Sequence, residues 1–367
     1  MKKITYKQSG VDYSAMDPLK RLAQIEGKKT IKNLRSSGYK EDSSSRGESA
    51  YVIEDKNSYL AFVEEGLGTK NLVADAMLKI TGKTYYDQIA QDAVAAIIND
   101  LITVGARPLT VLAYWAVGST DWFKNKKRLV DLTKGWAKAC NLSGATWGGG
   151  ETPTLSGIVN PDTIDLAGAA FGVIKPKKRL ALGKKLHAGD AIVIFGSSGI
   201  HANGFTLARK ISEELPKGYA TKLPSGNSYG EALLKPTVIY AKLIQGLFSA
   251  NVDIHYMANI TGHGWRKIMR HSKKFTYRIH TIPPVPEILQ FIMENGPVDI
   301  SEAYGNFNMG AGFAIFIPQK DVKKTLEIAK KQGVKAYHSG NVEKGKKQVI
   351  IEPLRITYSE KSLQVKA

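Results

Sequence analysis

An apolar run, Tyr59-Leu60-Ala61-Phe62-Val63, leads through Glu64 into Glu65-Gly66-Leu67-Gly68-Thr69-Lys70, and no other stretch restricts the fold as much. The run reads as a buried strand, and the glycines after it force the chain to turn where the strand stops. A carboxylate, two glycines, a hydroxyl and an ammonium therefore arrive together at a strand end. Glycines let backbone N–H groups approach anionic oxygens, a lysine supplies a point charge, and a carboxylate can ligate a hard cation such as Mg²⁺. A phosphate-binding turn and an ordinary loop with a solvated Lys70 both fit these residues.

From Ser58 onward the pattern is α/β. The first strand is followed by a helix from about Tyr86, a strand at Leu109–Tyr114 and a helix from about Asp121 to Ala139. The turn Gly148-Gly149-Gly150 then leads to a strand at Asp165–Ile174. In the helix from Tyr86, the residues Ile89, Ala93, Ile97, Leu101 and Val104 form one apolar stripe, and Asp100 falls inside it. A carboxylate there is costly to bury without a cation or donors. Either Asp100 has such partners, or the helix frays near Ile98 and Asp100 caps the next stretch of chain. Asp92 and Asn99 share the adjoining face.

A chain of 367 residues is long enough for two cores. The composition shifts around Ile174-Lys175-Pro176-Lys177-Lys178, which predicts domains at 1–174 and 175–367. The first 50 residues read as polar and irregular, with Ser43 to Ser49 as a mobile loop. With 43% hydrophobic and 23% charged residues, the composition is that of an ordinary globular protein. No apolar run approaches membrane-helix length and no secretory signal is evident, so a cytoplasmic location is expected. The lone Cys140 can form neither an internal disulfide nor a zinc knuckle. The net charge of +19 raises the question of nucleic acid, but the lysines are dispersed as doublets without interleaved aromatics, so specific nucleic-acid binding is not expected. Anionic small molecules suit such a surface.

In the second half, the strand Ala191–Phe195 runs into Gly196-Ser197-Ser198-Gly199-Ile200-His201-Ala202-Asn203-Gly204 and a helix to about Glu214. A small-residue loop before a helix is a good anion nest, and also a common tight turn. Pro236 is expected to open a helix carrying Ile239, Leu243 and Leu247, and Asn259 to Trp265 to make a glycine turn into another. The rest reads strand, helix, loop, strand, helix and a strand pair ending at Glu352, an α+β arrangement. Only His201 and His263 among the histidines sit in glycine loops. No G-x-S-x-G elbow and no Walker sequence is present.

Taken together and in order, Tyr6 to Asp12, Gly66-Leu67-Gly68-Thr69-Lys70, Asn99-Asp100-Leu101 with Gly105-Ala106-Arg107-Pro108, Gly149-Gly150-Glu151-Thr152, Gly196 to Gly204, Ile260-Thr261-Gly262-His263-Gly264 and Phe307-Asn308-Met309-Gly310 resemble the phosphoribosylformylglycinamidine cyclo-ligase family, the aminoimidazole ribonucleotide synthetases. The resemblance spans about Tyr6 to Glu352. It implies an amino-terminal α/β domain that binds ATP and dimerises through its sheet, followed by a carboxy-terminal α+β domain. It also implies ATP and Mg²⁺ as cofactors, a homodimer, and formylglycinamidine ribonucleotide as the substrate cyclised to aminoimidazole ribonucleotide in purine biosynthesis.

On this resemblance Glu65, Asp92, Asn99 and Asp100 belong to the metal and its surroundings, and Gly66, Gly68, Thr69 and Lys70 to the ATP phosphates. Ser197, Ser198, His201 and Asn203 line a loop facing substrate or phosphate, and Glu151 and Thr261 are cleft residues. Asp100, Lys70, His201 and Glu151 are the expected catalytic set. The chain departs from the family pattern where Glu65 replaces an Asp, Ala113 an acidic residue, Asn259 a His and His263 a Gly, and at Arg46 to Ala50 in place of a glycine-rich turn. A re-purposed or silent paralogue is the alternative these departures raise. Selenophosphate synthetase and thiamine-phosphate kinase are the rivals within the superfamily; the first is disfavoured by the lack of a Cys near the amino terminus, and the second lacks the Gly196–Gly204 pattern.

Overall fold

The computed structural model describes residues 13–296, 298–363 and 365–366; the Tyr6 to Asp12 segment lies outside them. In chain order the elements begin with α1 (Tyr13–Lys29), α2 (Ile31–Ser36), β1 (Lys40–Glu41), β2 (Tyr51–Glu54), β3 (Tyr59–Gly66), α3 (Asn71–Thr81) and α4 (Tyr86–Leu101). They continue with β4 (Arg107–Val117), α5 (Lys126–Ser143), β5 (Thr146–Glu151) and β6 (Ile164–Ile174). The second half comprises β7 (Ala191–Gly196), α6 (Phe205–Glu214), α7 (Tyr229–Leu233), α8 (Ala241–Ser249), β8 (Tyr256–Asn259) and β9 (Phe275–Ile279). It closes with α9 (Glu287–Asn295), α10 (Ile300–Asn306), β10 (Ala311–Ile317), α11 (Val322–Lys331), β11 (Ala336–Lys344), β12 (Gln348–Ile351) and β13 (Ile356–Ser359).

The strands form two sheets, ordered β1-β2-β3-β6-β4-β5 and β13-β12-β9-β11-β7-β10-β8. In the first, only β4 and β5 run parallel. Strict alternation along β6 buries every second residue, as expected of a sheet with one covered face. Ala61, Val63, Val111 and Ala170 are buried on the side where α4 and α5 pack. On the other side Phe62 pairs in register with Phe171, their rings 5.1 Å apart, and Phe62 and Leu112 remain 38% and 45% exposed. In the second sheet β7 and β10 are apolar on both faces and nearly wholly buried, which places them at the centre of that core.

Several sequence expectations are corrected here. The first 50 residues include α1 and α2 rather than irregular chain, and Ser43–Ser45 form a 3₁₀ turn capped by Asp42, whose carboxylate accepts from the Ser44 amide. On α1 the apolar residues Leu19, Leu22 and Ile25 are at least half exposed, so this helix is only lightly packed on the body. Gly148 to Gly150 lie within β5, not in a turn; a Cβ at Gly150 would come within 2.0 Å of the Ala113 carbonyl oxygen on the neighbouring strand, so the close approach to β4 requires glycine there. The helix expected from Asp121 is a 3₁₀ turn, Thr120–Lys124, and α5 starts after it, where the Asn125 side chain accepts from the Arg128 amide. Pro236 does not open a helix; α8 begins at Ala241, and residues 235–240 are held as irregular chain by side chains of α4. The glycine turn after β8 continues into a 3₁₀ helix, Gly264–Met269.

Candidate active site

The last turn of α4 stays helical through Leu101, which carries Asp100 into the interior at 5% exposure. Its stripe position therefore reflects true burial, and the partners a buried carboxylate requires are present. Asp100 Oδ1 accepts a 2.7 Å hydrogen bond from Asn259 Nδ2 at the end of β8, so the two halves of the molecule meet at this group. Glu65, half-buried at the end of β3, comes within hydrogen-bonding reach of Asp100. Burial and the adjacent Asp100 carboxylate push the Glu65 pKa up to about 8, against the opposing pull of Lys267 and Arg270. Glu65 is therefore largely protonated at neutral pH.

A cleft of about 280 Å³ opens beside this pair. Its walls include Lys20 from α1, Glu48 from the loop before β2, Glu65, Asp100, Lys267 and Arg270. Lys267 Nζ donates to the Thr261 hydroxyl. Burial lowers the Lys267 pKa, while Asp100 and Glu65 work the other way. Arg270 donates to the Gly47 carbonyl at 2.8 Å and to Ser49 Oγ at 2.9 Å, which fixes the 47–49 loop at the cleft's edge. Glu48 is occupied there: it accepts from the Tyr256 hydroxyl at 2.8 Å and pairs with Lys366.

The chemistry of this donor set fits a hard divalent cation next to an anion. Two oxygen ligands from neighbouring carboxylates are what a phosphate-bound Mg²⁺ takes from protein, and a divalent ion would relieve the like-charge crowding recorded in the raised Glu65 pKa. Lys20, Lys267 and Arg270 complement phosphate oxygens on the cleft's other walls. The turn after Glu65 is open: Gly66 and Gly68 are exposed, Gly68 has φ +77°, and Thr69 is half-buried.

Other expected site residues lie elsewhere, at the seam between the two halves. Lys70 is fully buried, and its Nζ pairs with Asp92 Oδ2 at 2.7 Å and donates to the His201 and Lys235 carbonyls at 3.0 and 2.9 Å. These three contacts occupy its ammonium within the seam. Asp92 and Asn99 do share one face of α4, and that face meets the Lys70 ammonium and the backbone of residues 237–240. Asp92 Oδ1 accepts from the Thr237 amide at 2.8 Å, and Asn99 accepts from the Tyr240 amide at 3.0 Å and donates to the Val238 carbonyl at 2.8 Å. Gln91 adds a bond to the Thr237 carbonyl at 2.9 Å.

The Gly196–Gly204 loop spends its polar side chains on its own shape. Ser197 Oγ donates to Asn308 Oδ1 at 2.9 Å, and Ser198 Oγ to the Pro236 carbonyl at 2.5 Å. His201, at φ +63°, accepts the Ser198 amide at Nε2 over 3.1 Å. Burial, with Lys70 nearby, pushes its pKa down to about 3, so it is a neutral clasp rather than a proton-transfer group at neutral pH. Gly204 has φ +91° and faces the Phe307 ring at a distance that leaves no room for a Cβ. Asn203 is half-buried on this loop, and Glu151 is exposed at the end of β5, apart from the cleft residues.

Of the residues singled out in the sequence, Glu65 and Asp100 meet in the cleft, with Thr261 behind them through Lys267. Lys70, Asp92, Asn99, Ser198 and His201 form the seam. The cations Lys20, Lys267 and Arg270 were not anticipated; the run Arg266-Lys267 with Arg270, just after a glycine turn, is the signal that points to the last two.

Residues 47–174 match the family model described as AIR synthase related protein, N-terminal domain, and residues 187–352 match its C-terminal domain counterpart. A phosphoribosylformylglycinamidine cyclo-ligase of Carboxydothermus hydrogenoformans is 35% identical over 96% of this chain and 99% of its own. The protein of the same name from Pyrococcus furiosus is 35% identical over 89% of this chain and 91% of its own. Among solved structures, a chain of the HypE-HypF complex superposes with a TM-score of 0.59 at 17% identity, covering 85% of this chain and 92% of that one. T. maritima PurL complexed with ATP gives 0.54 at 16% identity, covering 86% of this chain and 46% of that one. Fold, domain order and relatives agree: this chain belongs to the AIR synthase family and, within it, to the phosphoribosylformylglycinamidine cyclo-ligases.

Proposed function

We propose that this chain closes the imidazole ring of aminoimidazole ribonucleotide at the cleft between its two halves, with a division at about Ile174/Lys175. ATP phosphorylates the formyl oxygen of formylglycinamidine ribonucleotide to an imidate phosphate and leaves as ADP. The amidine nitrogen then attacks the same carbon, forming the C–N bond and expelling phosphate. An amide-like oxygen is a poor nucleophile, so positioning and charge neutralisation are the protein's main tasks. The observation that carries the reading is the Glu65–Asp100 pair crowded into one cleft with Lys267 and Arg270.

Glu65 and Asp100 would hold Mg²⁺, which when bound offsets charge on the phosphates. The open backbone of Gly66, Gly68 and Thr69 cradles phosphate oxygens, and Lys20, Lys267 and Arg270 bind the remaining negative charge. Asn259 orients Asp100. Lys70, Asp92, Asn99, Ser198 and His201 act as positioning residues that hold the Gly196–Gly204 loop and residues 235–240 against α4. ATP use is in keeping with the fold shared with PurL, whose complex contains ATP. The open sheet face around Phe62, Leu112 and Phe171 is read as the homodimer contact, and the cytoplasm as the location.

Asp100→Asn keeps the shape and the Asn259 contact while removing the charge. It is expected to lower ATP-dependent ring closure by at least ~100-fold, the scale of losing a main electrostatic group, with an unchanged circular dichroism spectrum and melting temperature within a few degrees. Turnover near the unmodified level would remove Asp100 from the machinery.

A further inference from the structure

Away from the cleft, the turn before β7 and the residue before β8 bring His187, Asp190 and His255 together, with one potential ligand atom from each within 4.8 Å of the others. Their backbones are pinned. The Asp190 carbonyl accepts from Val342 and the His255 amide donates to Phe316, at 2.8 and 2.9 Å. The His255 carbonyl accepts from Gly183 at 3.1 Å.

Asp190 is fully buried, and its two oxygens are unequal. Oδ2 accepts from His255 Nδ1 at 2.8 Å and from the His187 amide at 3.1 Å. Oδ1 has no hydrogen-bond partner, although it is equally hidden from water, and His187 Nδ1 stands 3.4 Å from it. Buried carboxylate oxygens are ordinarily satisfied, so an orphan facing an imidazole nitrogen calls for a ligand. The far nitrogen of His255, Nε2, lies 3.2 Å from Asp253 Oδ2. That carboxylate–imidazole contact is the outer support that metal-bound histidines characteristically have. It keeps a proton on Nε2 and frees the Nδ1 lone pair, once its own proton leaves, for a cation beside Asp190.

We propose that His187, Asp190 and His255 bind one divalent transition-metal ion of the Zn²⁺ class. Two imidazole nitrogens and a carboxylate oxygen are its usual donors and a poor set for Mg²⁺ or Ca²⁺. Binding displaces the Nδ1 proton of His255 to solvent, moves the Nδ1 proton that His187 now shares with the Lys185 carbonyl to its Nε2, gives Asp190 Oδ1 its missing partner and leaves the fourth position to water. Burial alone disfavours a charged His255, yet Asp190 and Asp253 raise its pKa, so the pocket already stabilises a positive charge there. Tetrahedral ligand edges of about 3.3 Å are shorter than the present spread. His187, whose side chain is 63% exposed, has the freedom to close that gap, since its ring sits at the rim, where Nδ1 is 2.9 Å from the Lys185 carbonyl and the ring lies 5.3 Å from that of His255. The ion would clip the starts of β7 and β8 together.

The test is calorimetric titration of the EDTA-treated full chain with Zn²⁺ in excess Mg²⁺, which occupies the Glu65–Asp100 carboxylate pair of the cleft. One Zn²⁺ per chain is expected, with visible absorption bands of tetrahedral character when Co²⁺ replaces it. His187→Ala alters an exposed side chain outside the cleft. It is expected to retain ATP-dependent turnover, to weaken Zn²⁺ binding at least ~10-fold and to lose the Co²⁺ bands. If the unmodified chain takes up no Zn²⁺ under these conditions, or His187→Ala binds it with the same stoichiometry and affinity, the site does not exist.

Discussion

Glu65 carries a testable consequence of its surroundings. Its folded pKa of about 8 lies above the ordinary carboxylate value of 4.5, because burial and Asp100 both oppose its charge. The folded state therefore binds more protons than the unfolded one between those two values, and this group's contribution to stability is present at low pH and lost as pH rises through about 8. Glu65→Gln mimics the protonated form at every pH. Without Mg²⁺, the variant's melting temperature is expected to gain on that of the unmodified chain between pH 5 and 8, and a gap that does not change across this range would contradict the crowded pair. Periodicity puts Asp100 on the apolar stripe of its helix and leaves a frayed end as the alternative, which the unbroken helix through Leu101 removes. Lys267 was not readable in the sequence, because it lies in a 3₁₀ turn that carries no such period, and its partners Glu65 and Asp100 come from the other half of the chain.

Helix α4 does two jobs along its length: its last turn delivers Asp100, and Gln91, Asp92 and Asn99 tie down residues 235–240. This explains why Pro236 fails to start a helix. The Thr237 and Tyr240 amides and the Lys235 to Val238 carbonyls are bonded to side chains rather than to a helical ladder. Sequence periodicity showed that Asp92 and Asn99 share a face but not what the face meets, since that partner is a backbone segment remote in sequence. Lys70→Met leaves Asp92 buried without its cation. It is expected to cost about 3–5 kcal/mol of stability, as loss of one partner of a buried pair does, read as a lowered denaturant midpoint. Stability within about 0.5 kcal/mol of the original would show that the pair is not what holds this seam.

At the scale of the molecule, the central strands were legible but not their order in the sheets, because β3, β4, β6, β7 and β10 each present enough apolar residues to be read without context while their pairing joins segments remote in sequence. The helical start was not legible either, since α1 turns much of its apolar side to solvent and so looks like unpacked chain. The open face of the first sheet makes a separate demand. Phe62 and Leu112 at 38% and 45% exposure, over a paired Phe171, are the residues on which the proposed homodimer contact rests. Leu112→Asp is expected to shift the protein from dimer to monomer in multi-angle light scattering at micromolar concentration; an unmodified chain that is itself monomeric there would refute the assignment.

The stitching of α4 to residues 235–240 also limits how reactants reach the carboxylates. Halves sewn along that line are not free to gape like a hinged shell. The looser border is the one formed by α1, which contributes Lys20 and is anchored from Gln24 to the Val365 carbonyl at 2.9 Å. If the cleft is the proposed reaction site, reactants enter past this amino-terminal helix rather than by the two halves parting.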